Sequence, residues 1–353
     1  MVDAVQLLRE LVEIESPTGD TGAMRDRVEA ELRGLGARLE RQGEHLRAEL
    51  EGEGAPLLLL GHLDTVWARG TLARLPWRVE DGRAYGPGAF DMKAGLVVLL
   101  EAIRRAGTPR ALRIFMTADE EVGSPTARPL LEHAAAGAAA ALVVEPPDAA
   151  GNLKTARKGL GRFRLRVTGR AAHAGGNLAD GASAIEELAH QIVRLHALTD
   201  LARGTSVHVG VVRGGTRENV VAAEAEGLID ARVARFADRE TIEEALHSLT
   251  PVLRGTQLEL TGRWTRPPLE RSPGSSRLFA AAREHGRALG LELREAAAGG
   301  GSDGNLVGAV GVPVLDGLGA EGGGAHADDE HVIIASLDTR AELLARMLRE
   351  PGV

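Results

Sequence analysis

The chain contains no cysteine at all. It can therefore form no disulfide and offer no thiolate, which excludes cysteine nucleophiles and cysteine-based metal sites. Any metal ion bound by this chain must be held by nitrogen and oxygen atoms. The search for ligands accordingly narrows to histidine, aspartate and glutamate side chains.

Long hydrophobic runs and an excess of positive charge are also missing. No apolar stretch approaches the roughly 18 to 20 residues that span a bilayer. The start MVDAVQLLRELVEI has the pattern of an acidic amphipathic helix rather than of a basic signal peptide. We therefore predict a cytoplasmic protein with no membrane partner. The formal net charge of −8, without a basic stripe that carries aromatic residues, argues against nucleic acid as a partner.

Hydrophobic residues make up 44% of the 353 positions, which is enough for two domains with cores of their own. Up to about residue 158, short apolar runs alternate with helical segments, as in PLLLLGHLDTV, AGLVVLLEAIRRAG and ALRIFMTADEE. This order predicts an α/β fold. In such folds the ligand-binding groups follow the carboxyl ends of the strands.

The pattern changes near residue 160. Alternating strands such as GRFRLRVTG and AEGLIDARVARF occur with two helices in the order βαββαβ, which is the ferredoxin-like arrangement. The segment RPPLERSPGSS marks its end, and the α/β pattern then returns. We therefore predict a first α/β part over residues 1–158, an inserted domain over 159–269 and a second α/β part over 270–353.

Several short segments place imidazole or carboxylate side chains where apolar runs end. His62 and Asp64 in GHLDTV project from the same side of an extended chain, which suits a metal ligand with a nearby orienting carboxylate. Glu145 ends the run VVEPP, and Asp91 precedes a helix after the glycine-rich segment GPGAFDMKAG. Each alone is ordinarily a turn, cap or surface residue. Together they favour a cation site.

The segment TADEEVGS crowds Asp119, Glu120 and Glu121 after an apolar strand, where like charges repel. One or two divalent cations would neutralise such a cluster. Because adjacent side chains diverge, Glu121 can bind metal while Glu120 serves as a base. His326 lies in the glycine-rich segment GAEGGGAHADDE, which hydrophobic burial alone would not order, although a lone histidine there is ordinarily a surface residue.

Six segments in this order resemble the zinc-dependent peptidase and deacylase family of glutamate carboxypeptidase, aminoacylase, acetylornithine deacetylase and succinyl-diaminopimelate desuccinylase. They are GHLDTV, GPGAFDMKAG, TADEEVGS, EPP, GRAAHAG and GAHADDE. The resemblance covers essentially the whole chain and is nearest to glutamate carboxypeptidase. It implies a two-metal hydrolase with a mixed-sheet zinc-peptidase catalytic domain and an inserted domain that acts as a dimerisation lid.

The resemblance also implies a ligand set. His62, Asp91 and Glu145 would bind one metal ion, and Asp91, Glu121 and His326 would bind the other, so that Asp91 bridges the pair. Two zinc ions suit these nitrogen and oxygen ligands, with cobalt or manganese as replacements. The peptide bond after Asp91 would be cis.

Three further residues receive roles from the same resemblance. Glu120 would take a proton from the attacking water and pass it to the leaving nitrogen. Asp64 would hydrogen-bond the far ring nitrogen of His62. His173, in GRAAHAG, matches a histidine that stabilises the oxyanion and that reaches the partner's site in dimeric members of the family. A homodimer built through the inserted domain is therefore expected.

Substrate recognition is predicted from three positions. Asn219 and Arg232 match positions where glutamate-releasing relatives bind the terminal carboxylate of the substrate, and Gly301 belongs to GGGSDGN, which resembles a substrate-side loop. The alternatives are a turn residue for Asn219, a solvated strand residue for Arg232 and a structural turn for Gly301. Three basic residues are left open as further carboxylate ligands: Lys154, Arg157 and Lys158.

The resemblance implies an enzyme that acts on a small peptide or an N-acyl amino acid. It would cleave the amide bond beside a free carboxylate and release a C-terminal, glutamate-like amino acid. One alternative is a biosynthetic deacylase of the acetylornithine or succinyl-diaminopimelate type. Another, from a different class, is a catalytically silent dimeric binding protein, and the presence of every expected ligand and of Glu120 argues against it.

Overall fold

The structure is a computed structural model that describes residues 3–107 and 110–353. By its internal contacts the chain divides into two compact units. Unit 1 comprises Met1–Ala156, Leu269–Ala298 and Ser302–Val353, and unit 2 comprises Arg157–Pro268 and Gly299–Gly301. The two long connections between the units therefore fall within two residues of the boundaries expected at 158/159 and 269/270.

The elements follow one another in the order expected for an α/β chain with an insertion. The helices are α1 (Ala4–Val12), α2 (Gly22–Gly34), α3 (Ala94–Ala106), α4 (Arg128–Ala135), α5 (Ala184–His196), α6 (Phe236–His247), α7 (Pro273–Arg287), α8 (Asp303–Ala309) and α9 (Ile334–Arg349). The first eight strands are β1 (Arg38–Gln42), β2 (His45–Leu50), β3 (Glu53–His62), β4 (Arg78–Glu80), β5 (Arg83–Tyr85), β6 (Arg110–Thr117), β7 (Ala140–Val143) and β8 (Leu153–Arg157). The remaining strands are β9 (Gly159–Thr168), β10 (Ser206–Gly214), β11 (Glu224–Val233), β12 (Gln257–Arg266), β13 (Glu295–Ala298), β14 (Val314–Leu315), β15 (Gly322–Gly323) and β16 (His331–Ile333).

A six-stranded mixed sheet forms the centre of unit 1, in the order β1-β2-β6-β3-β7-β14. Strand β3 runs parallel to β6 and to β7, and β14 runs parallel to β7. The carboxyl ends of these four strands therefore lie along one edge of the sheet. His62 ends β3, and the segments with Glu120 and Glu145 directly follow β6 and β7. The topology thus brings three distant segments to the same edge, as the sequence predicted.

Helices cover both faces of this sheet, and the side chains of β3 alternate between two buried clusters. Leu57 and Leu59 belong to the cluster that includes residues of α1, α3 and α9. Leu58 and Leu60 belong to the cluster that includes residues of α4 and α8. This alternation is the period of two expected of a strand buried on both faces. In the described part of the chain, no helix is both long and apolar enough to cross a membrane.

A second sheet of unit 1 holds the loops that carry Asp91 and His326. Its four short strands lie in the order β15-β16-β5-β4. Strand β5 leads into the glycine-rich loop before Asp91, and His326 lies between β15 and β16. Because β16 is antiparallel to β5, with His331 opposite Tyr85, both loops emerge at the same end of the sheet.

Unit 2 has the predicted ferredoxin-like fold. Its chain order is β9-α5-β10-β11-α6-β12, and its antiparallel sheet has the order β10-β11-β9-β12. On β9, Phe163, Leu165 and Val167 alternate with exposed residues and lie in one buried cluster with side chains of α5 and α6. Unit 2 therefore has a hydrophobic core of its own.

The short segment Gly299–Gly301 clusters with unit 2, although in the sequence it lies within the part predicted over residues 270–353. Arg232 Nη1 donates to the carbonyl oxygen of residue 299 at 2.8 Å. Arg157 Nη1 donates to the carbonyl oxygens of residues 300 and 301, both at 3.3 Å. A side chain at Gly301 would meet Leu160 at 2.7 Å, so the glycine permits a close approach within unit 2.

Candidate metal centre

All five predicted ligand side chains converge in unit 1. His62 Nε2 lies 3.2 Å from Asp91 Oδ1 and 3.6 Å from Glu145 Oε1. His326 Nε2 lies 3.2 Å from Asp91 Oδ2 and 3.5 Å from Glu121 Oε2. The two carboxylate oxygens of Asp91 therefore face different histidines, which is the geometry expected of a bridging ligand.

The loop that presents Asp91 has an unusual main chain. The peptide bond between Asp91 and Met92 is cis, as the family resemblance implied. Gly88 has a φ of 70°, in the left-handed region that favours glycine, and a Cβ at this position would lie 2.5 Å from the side chain of Thr65. The loop thus requires a glycine at position 88, three residues before Asp91, for both conformational and steric reasons.

Glu120 and Glu121 lie in a single turn of 3₁₀ helix that follows β6. Their main-chain N–H groups donate to the two carboxylate oxygens of Asp64, at 3.1 and 3.2 Å. The hydroxyl of Thr18 donates to the same carboxylate at 2.7 Å. Asp64 is almost fully buried, and burial raises the pKa of its carboxyl group. The buried carboxylate thereby holds the turn from which the two glutamates project.

The predicted contact between the Asp64 carboxylate and His62 is corrected by the structure. His62 Nδ1 lies 2.8 Å from the main-chain carbonyl oxygen of Asp64, whereas the nearest carboxylate oxygen is 3.6 Å away. A carbonyl oxygen only accepts, so Nδ1 carries a proton, and in the neutral ring the lone pair is on Nε2. Asp64 therefore orients His62 through its main chain, because its carboxylate is occupied by the turn at residues 120 and 121.

The remaining acid of the TADEEVGS cluster supports the turn from outside the ligand group. Asp119 Oδ2 accepts hydrogen bonds from the main-chain N–H and the hydroxyl of Thr126, at 2.7 and 2.6 Å.

Asp303 accepts from the hydroxyl of Thr117 at 2.7 Å and from that of Ser124. The two hydroxyl donors flank the turn, so Asp303 holds it at both ends. Sequence analysis missed this residue because its partners lie some 180 positions away.

Three other buried polar residues beside the site were also missed. His45 is buried, and its Nδ1 accepts from the N–H of Ala118 at 3.1 Å. Lys93 Nζ donates to the main-chain oxygens of residues 14 and 87, and burial lowers its pKa to about 7. Glu330 accepts hydrogen bonds from the loop of Asp91. The signal for the last two was their position inside motifs already singled out, GPGAFDMKAG and GAHADDE.

The electrostatics of the cluster favour positive charge. Burial opposes ionisation of Asp91, but hydrogen bonds with His326 and His62 hold the pKa of its carboxyl group below the ordinary value. Hydrogen bonds with Asp91 and Glu121 raise the pKa of His326 to about 10. Burial also opposes a charge on His62, yet Asp91 and Glu145 hold its pKa well above the usual range. The site therefore attracts protons or metal cations.

The donor groups fit divalent metal ions. With Nδ1 protonated, the Nε2 lone pair of His62 faces acceptor oxygens of Asp91 and Glu145, an arrangement that requires a proton or a cation between them. Glu121 Oε1 is buried and has no hydrogen-bond partner among the described residues. The ligand atoms form two groups, and within each group they all lie within 4.8 Å of one another. One group comes from His62, Glu120 and Glu145, and the other comes from His62, Asp91 and Glu121. Nitrogen and oxygen donors of this kind suit zinc, cobalt or manganese.

The position of Glu120 adds a second possibility for its role. The family resemblance implies proton transfer for Glu120 and metal binding for Glu121. The structure brings a carboxylate oxygen of Glu120 within 4.8 Å of potential ligand atoms of His62 and Glu145. Geometry alone therefore permits Glu120 either to transfer a proton at this place or to bind the ion there. The two roles predict different metal contents for a Glu120→Gln variant.

The predicted substrate residues and His173 all belong to unit 2, whereas the residues of the ligand cluster belong to unit 1. His173 is exposed and its Nδ1 accepts from the N–H of Gly175 at 3.0 Å. The segment of Asn219 adjoins it, because the carbonyl oxygen of Asn219 accepts from the N–H of Ala174 at 3.0 Å. Arg232 Nε donates to Asp230 Oδ1 at 2.9 Å. Unit 2 thus brings the segments of His173 and Asn219 together.

Two of the basic residues that were left open hold main-chain oxygens. Lys154 Nζ donates to the carbonyl oxygen of Pro146 at 2.7 Å, directly after Glu145. Arg157 donates to the glycine segment of residues 299–301 described above. These contacts give both residues a part in holding the loops that adjoin predicted site residues.

Comparison with known proteins identifies the family. Residues 58–350 match the family model described as Peptidase family M20/M25/M40. The chain belongs to this family. Carboxypeptidase G2 from Pseudomonas sp. (strain RS-16) is 31% identical to it over 375 residues, which cover 99% of this chain and 89% of that protein. Succinyl-diaminopimelate desuccinylase from Methylococcus capsulatus (strain ATCC 33009 / NCIMB 11132 / Bath) is 29% identical over 99% of this chain and 98% of that protein.

The fold of this M20-family chain matches that of solved structures. The crystal structure of a tripeptidase from Staphylococcus aureus subsp. aureus mu50 superimposes with a TM-score of 0.84 at 23% identity, over 99% of this chain and 98% of that one. The family match confirms the resemblance found in the sequence, and the M20-family chain is a hydrolase. The two-domain α/β prediction is likewise confirmed.

Proposed function

We propose that this M20-family hydrolase cleaves an amide bond beside a free carboxylate and releases a C-terminal, glutamate-like amino acid from a peptide or an N-acyl amino acid. The observation that carries the proposal is the convergence of two histidines and four carboxylates on one edge of unit 1, with Asp91 shared between His62 and His326. Similarity to carboxypeptidase G2 along 99% of the chain supports the choice of carboxypeptidase chemistry within the family.

The proposed ligand set divides the cluster between two ions. His62, Asp91 and Glu145 hold one divalent ion, and Asp91, Glu121 and His326 hold the other, with zinc as the resident metal and cobalt or manganese as replacements. When bound, such ions polarise the scissile carbonyl and lower the pKa of water. The chain itself keeps His62 in the tautomer with Nε2 directed at the site, through the carbonyl oxygen 2.8 Å from Nδ1.

Glu120 is the proposed proton carrier. Its main-chain N–H is anchored to Asp64 at 3.1 Å, and this contact helps to keep its carboxylate beside His62 and Glu145. There it takes a proton from the attacking water and returns it to the leaving nitrogen. Such a role contributes about 10²- to 10⁴-fold to turnover. Asp303 holds the ends of the same turn and so supports the position of this carboxylate.

We further propose a cytoplasmic homodimer formed through unit 2, with His173 acting in the site of the partner subunit. His173 Nδ1 accepts a hydrogen bond from Gly175, so the neutral ring carries its proton on Nε2 and can donate it to a developing oxyanion. At the edge of the unit 2 sheet, β10 exposes Val211 and Val212 to 42 and 52%. Exposed apolar edge strands favour pairing with another chain.

Mixing two inactive variants tests this proposal. Glu120→Gln and His173→Ala chains, each nearly inactive alone, are unfolded, mixed and refolded together. If His173 acts in the partner's site, each mixed dimer regains one complete site, and about a quarter of the wild-type activity returns. If His173 acts within its own chain, no complete site forms and the mixture stays inactive. A monomer in sedimentation experiments would also contradict the proposal.

A substrate panel tests the proposed reaction. Peptidyl and folate-like glutamates are compared with acetylornithine and succinyl-diaminopimelate after reconstitution with zinc, manganese or cobalt. We expect glutamate release, and we expect the C-terminal amide of the same peptide to lose at least about tenfold in kcat/KM because the free carboxylate is recognised. Preference for succinyl-diaminopimelate would instead support the deacylase alternative, which the similarity to the desuccinylase favours. Metal-loaded protein inert towards every substrate would support a silent binding protein.

A further inference from the structure

Glu330 is a buried carboxylate that accepts four hydrogen bonds, three of them from the main chain around Asp91. Only 2% of its surface is exposed. Its Oε1 accepts from the N–H groups of Phe90 and Asp91, both at 3.0 Å. Its Oε2 accepts from the N–H of Gly88 at 2.9 Å and from Trp67 Nε1 at 2.7 Å. Each oxygen therefore satisfies two donors at once.

This set of donors is matched to an ionised carboxylate. Four N–H groups converge on one side chain, and a carboxylate can accept four hydrogen bonds, whereas an amide has only one accepting oxygen. The left-handed main chain of Gly88, with a φ of 70°, forms part of the loop from which three of these N–H groups point. The loop of Asp91 is therefore held by the Glu330 carboxylate through three of its main-chain donors.

The same residue lies in the loop of His326. Glu330 follows His326 by four positions, and its own N–H donates to the carbonyl oxygen of Ala327 at 3.0 Å. Gly324 closes the other side of this loop by accepting from the N–H of Ala327 at 2.8 Å. The main-chain oxygen of Glu330 also accepts from Gly86 at 3.3 Å. Glu330 therefore connects the two loops with both its side chain and its main chain.

The geometry points to Glu330 as a positioning residue that holds Asp91 and His326 in register and so determines how tightly their shared site binds a divalent cation. The inference rests on the proposed two-metal function. His326 lies in a glycine-rich, exposed loop, and its Nε2 must stay 3.2 Å from Asp91 Oδ2 for the pair to share an ion. Hydrogen-bonded partners of metal ligands typically contribute 10- to 100-fold to metal affinity.

The test compares Glu330→Gln with Asp328→Asn, which is the same acid-to-amide change in the same loop. Asp328 is exposed and pairs with Arg74 at the surface. Metal-free proteins are titrated with zinc by competition calorimetry. We expect E330Q to weaken one of the two binding steps by about 10- to 100-fold and the other step less, because only one ion is held by both Asp91 and His326. D328N should bind both ions as the wild type does.

Hydrogen exchange provides a readout that needs no metal and no turnover. In the metal-free E330Q protein, the amides of residues 88, 90 and 91 should exchange faster than in wild type and D328N, while those of β3 and β6 should not change. Unchanged zinc affinity in E330Q would overturn the inference. An equal loss at both sites, with faster exchange throughout unit 1, would show a purely structural role and would also overturn it.

A milder variant covers the case in which E330Q does not fold. Trp67→Phe removes one of the four donors and keeps an aromatic ring, so we expect a severalfold loss at the same binding step, and unchanged affinity would contradict the inference. Failure of the proposed function is recognised separately. In that case the wild type binds two ions but hydrolyses no panel substrate, while the exchange and zinc measurements on the variants still report on Glu330.

Discussion

Glu120→Gln is expected to lower kcat by about 10²- to 10⁴-fold while the protein still binds two metal ions with little change in affinity. Glutamine keeps the size of the side chain and the main-chain hydrogen bond to Asp64, but it cannot accept and return a proton. Binding of substrate should change little, so KM should stay near its wild-type value. The measurements are steady-state kinetics on the glutamate-releasing substrate and metal content by elemental analysis.

The control for this prediction is Glu132→Gln. Glu132 lies on the exposed side of α4 and pairs with Arg128 at 2.9 Å, so the same chemical change there should leave kcat unaltered. Two results would contradict the assigned role. Near-normal turnover of E120Q would remove Glu120 from proton transfer. A loss of one metal ion together with activity would make Glu120 a ligand, as its proximity to His62 and Glu145 permits.

The Asp91→Asn substitution is expected to weaken the binding of both metal ions by more than about 100-fold and to abolish turnover at micromolar zinc. Asp91 faces His62 with one oxygen and His326 with the other, each at 3.2 Å. Outer partners of metal ligands already contribute up to about 100-fold, and a ligand shared by two ions should contribute more. Zinc titration and kcat measured against zinc concentration check the prediction.

Asp81→Asn is the matched control for this variant. Asp81 lies in the exposed turn between β4 and β5 with a φ of 48°, a conformation that asparagine also adopts readily. The D81N variant should keep both metal ions and full activity. If D91N lost only one ion while the other bound normally, the bridging role would be wrong, and the two proposed sites would have to be assigned separate ligands.

The strand topology explains why the side chains that converge in unit 1 could be selected from the sequence. His62 and Glu145 directly follow apolar runs, and parallel strands place the residues that follow them along one edge of a sheet. The cluster of three acidic residues at 119–121, after β6, is unfavourable without a cation, so its composition predicted a metal site. Local sequence and strand topology together bring these side chains to one place.

The supporting contacts could not be predicted in this way, because they join residues with no local pattern. Glu330 accepts from Gly88 across 242 positions, and Asp303 accepts from Thr117 across 186. Strands β15 and β16, which position His326, have two and three residues, too few to show any hydrophobic period. Only the folded chain reveals which buried donor each of these acids meets.

The sequence by itself determined the residue types of the centre, the mixed α/β and ferredoxin-like elements and the family, because these depend on composition, periodicity and motif order. The tertiary structure decided the details that depend on atomic distance. It showed that Asp64 orients His62 through a carbonyl oxygen 2.8 Å away, and that residues 299–301 join unit 2. The physical reason is that hydrogen bonds act over about 3 Å, a scale that residue order does not specify.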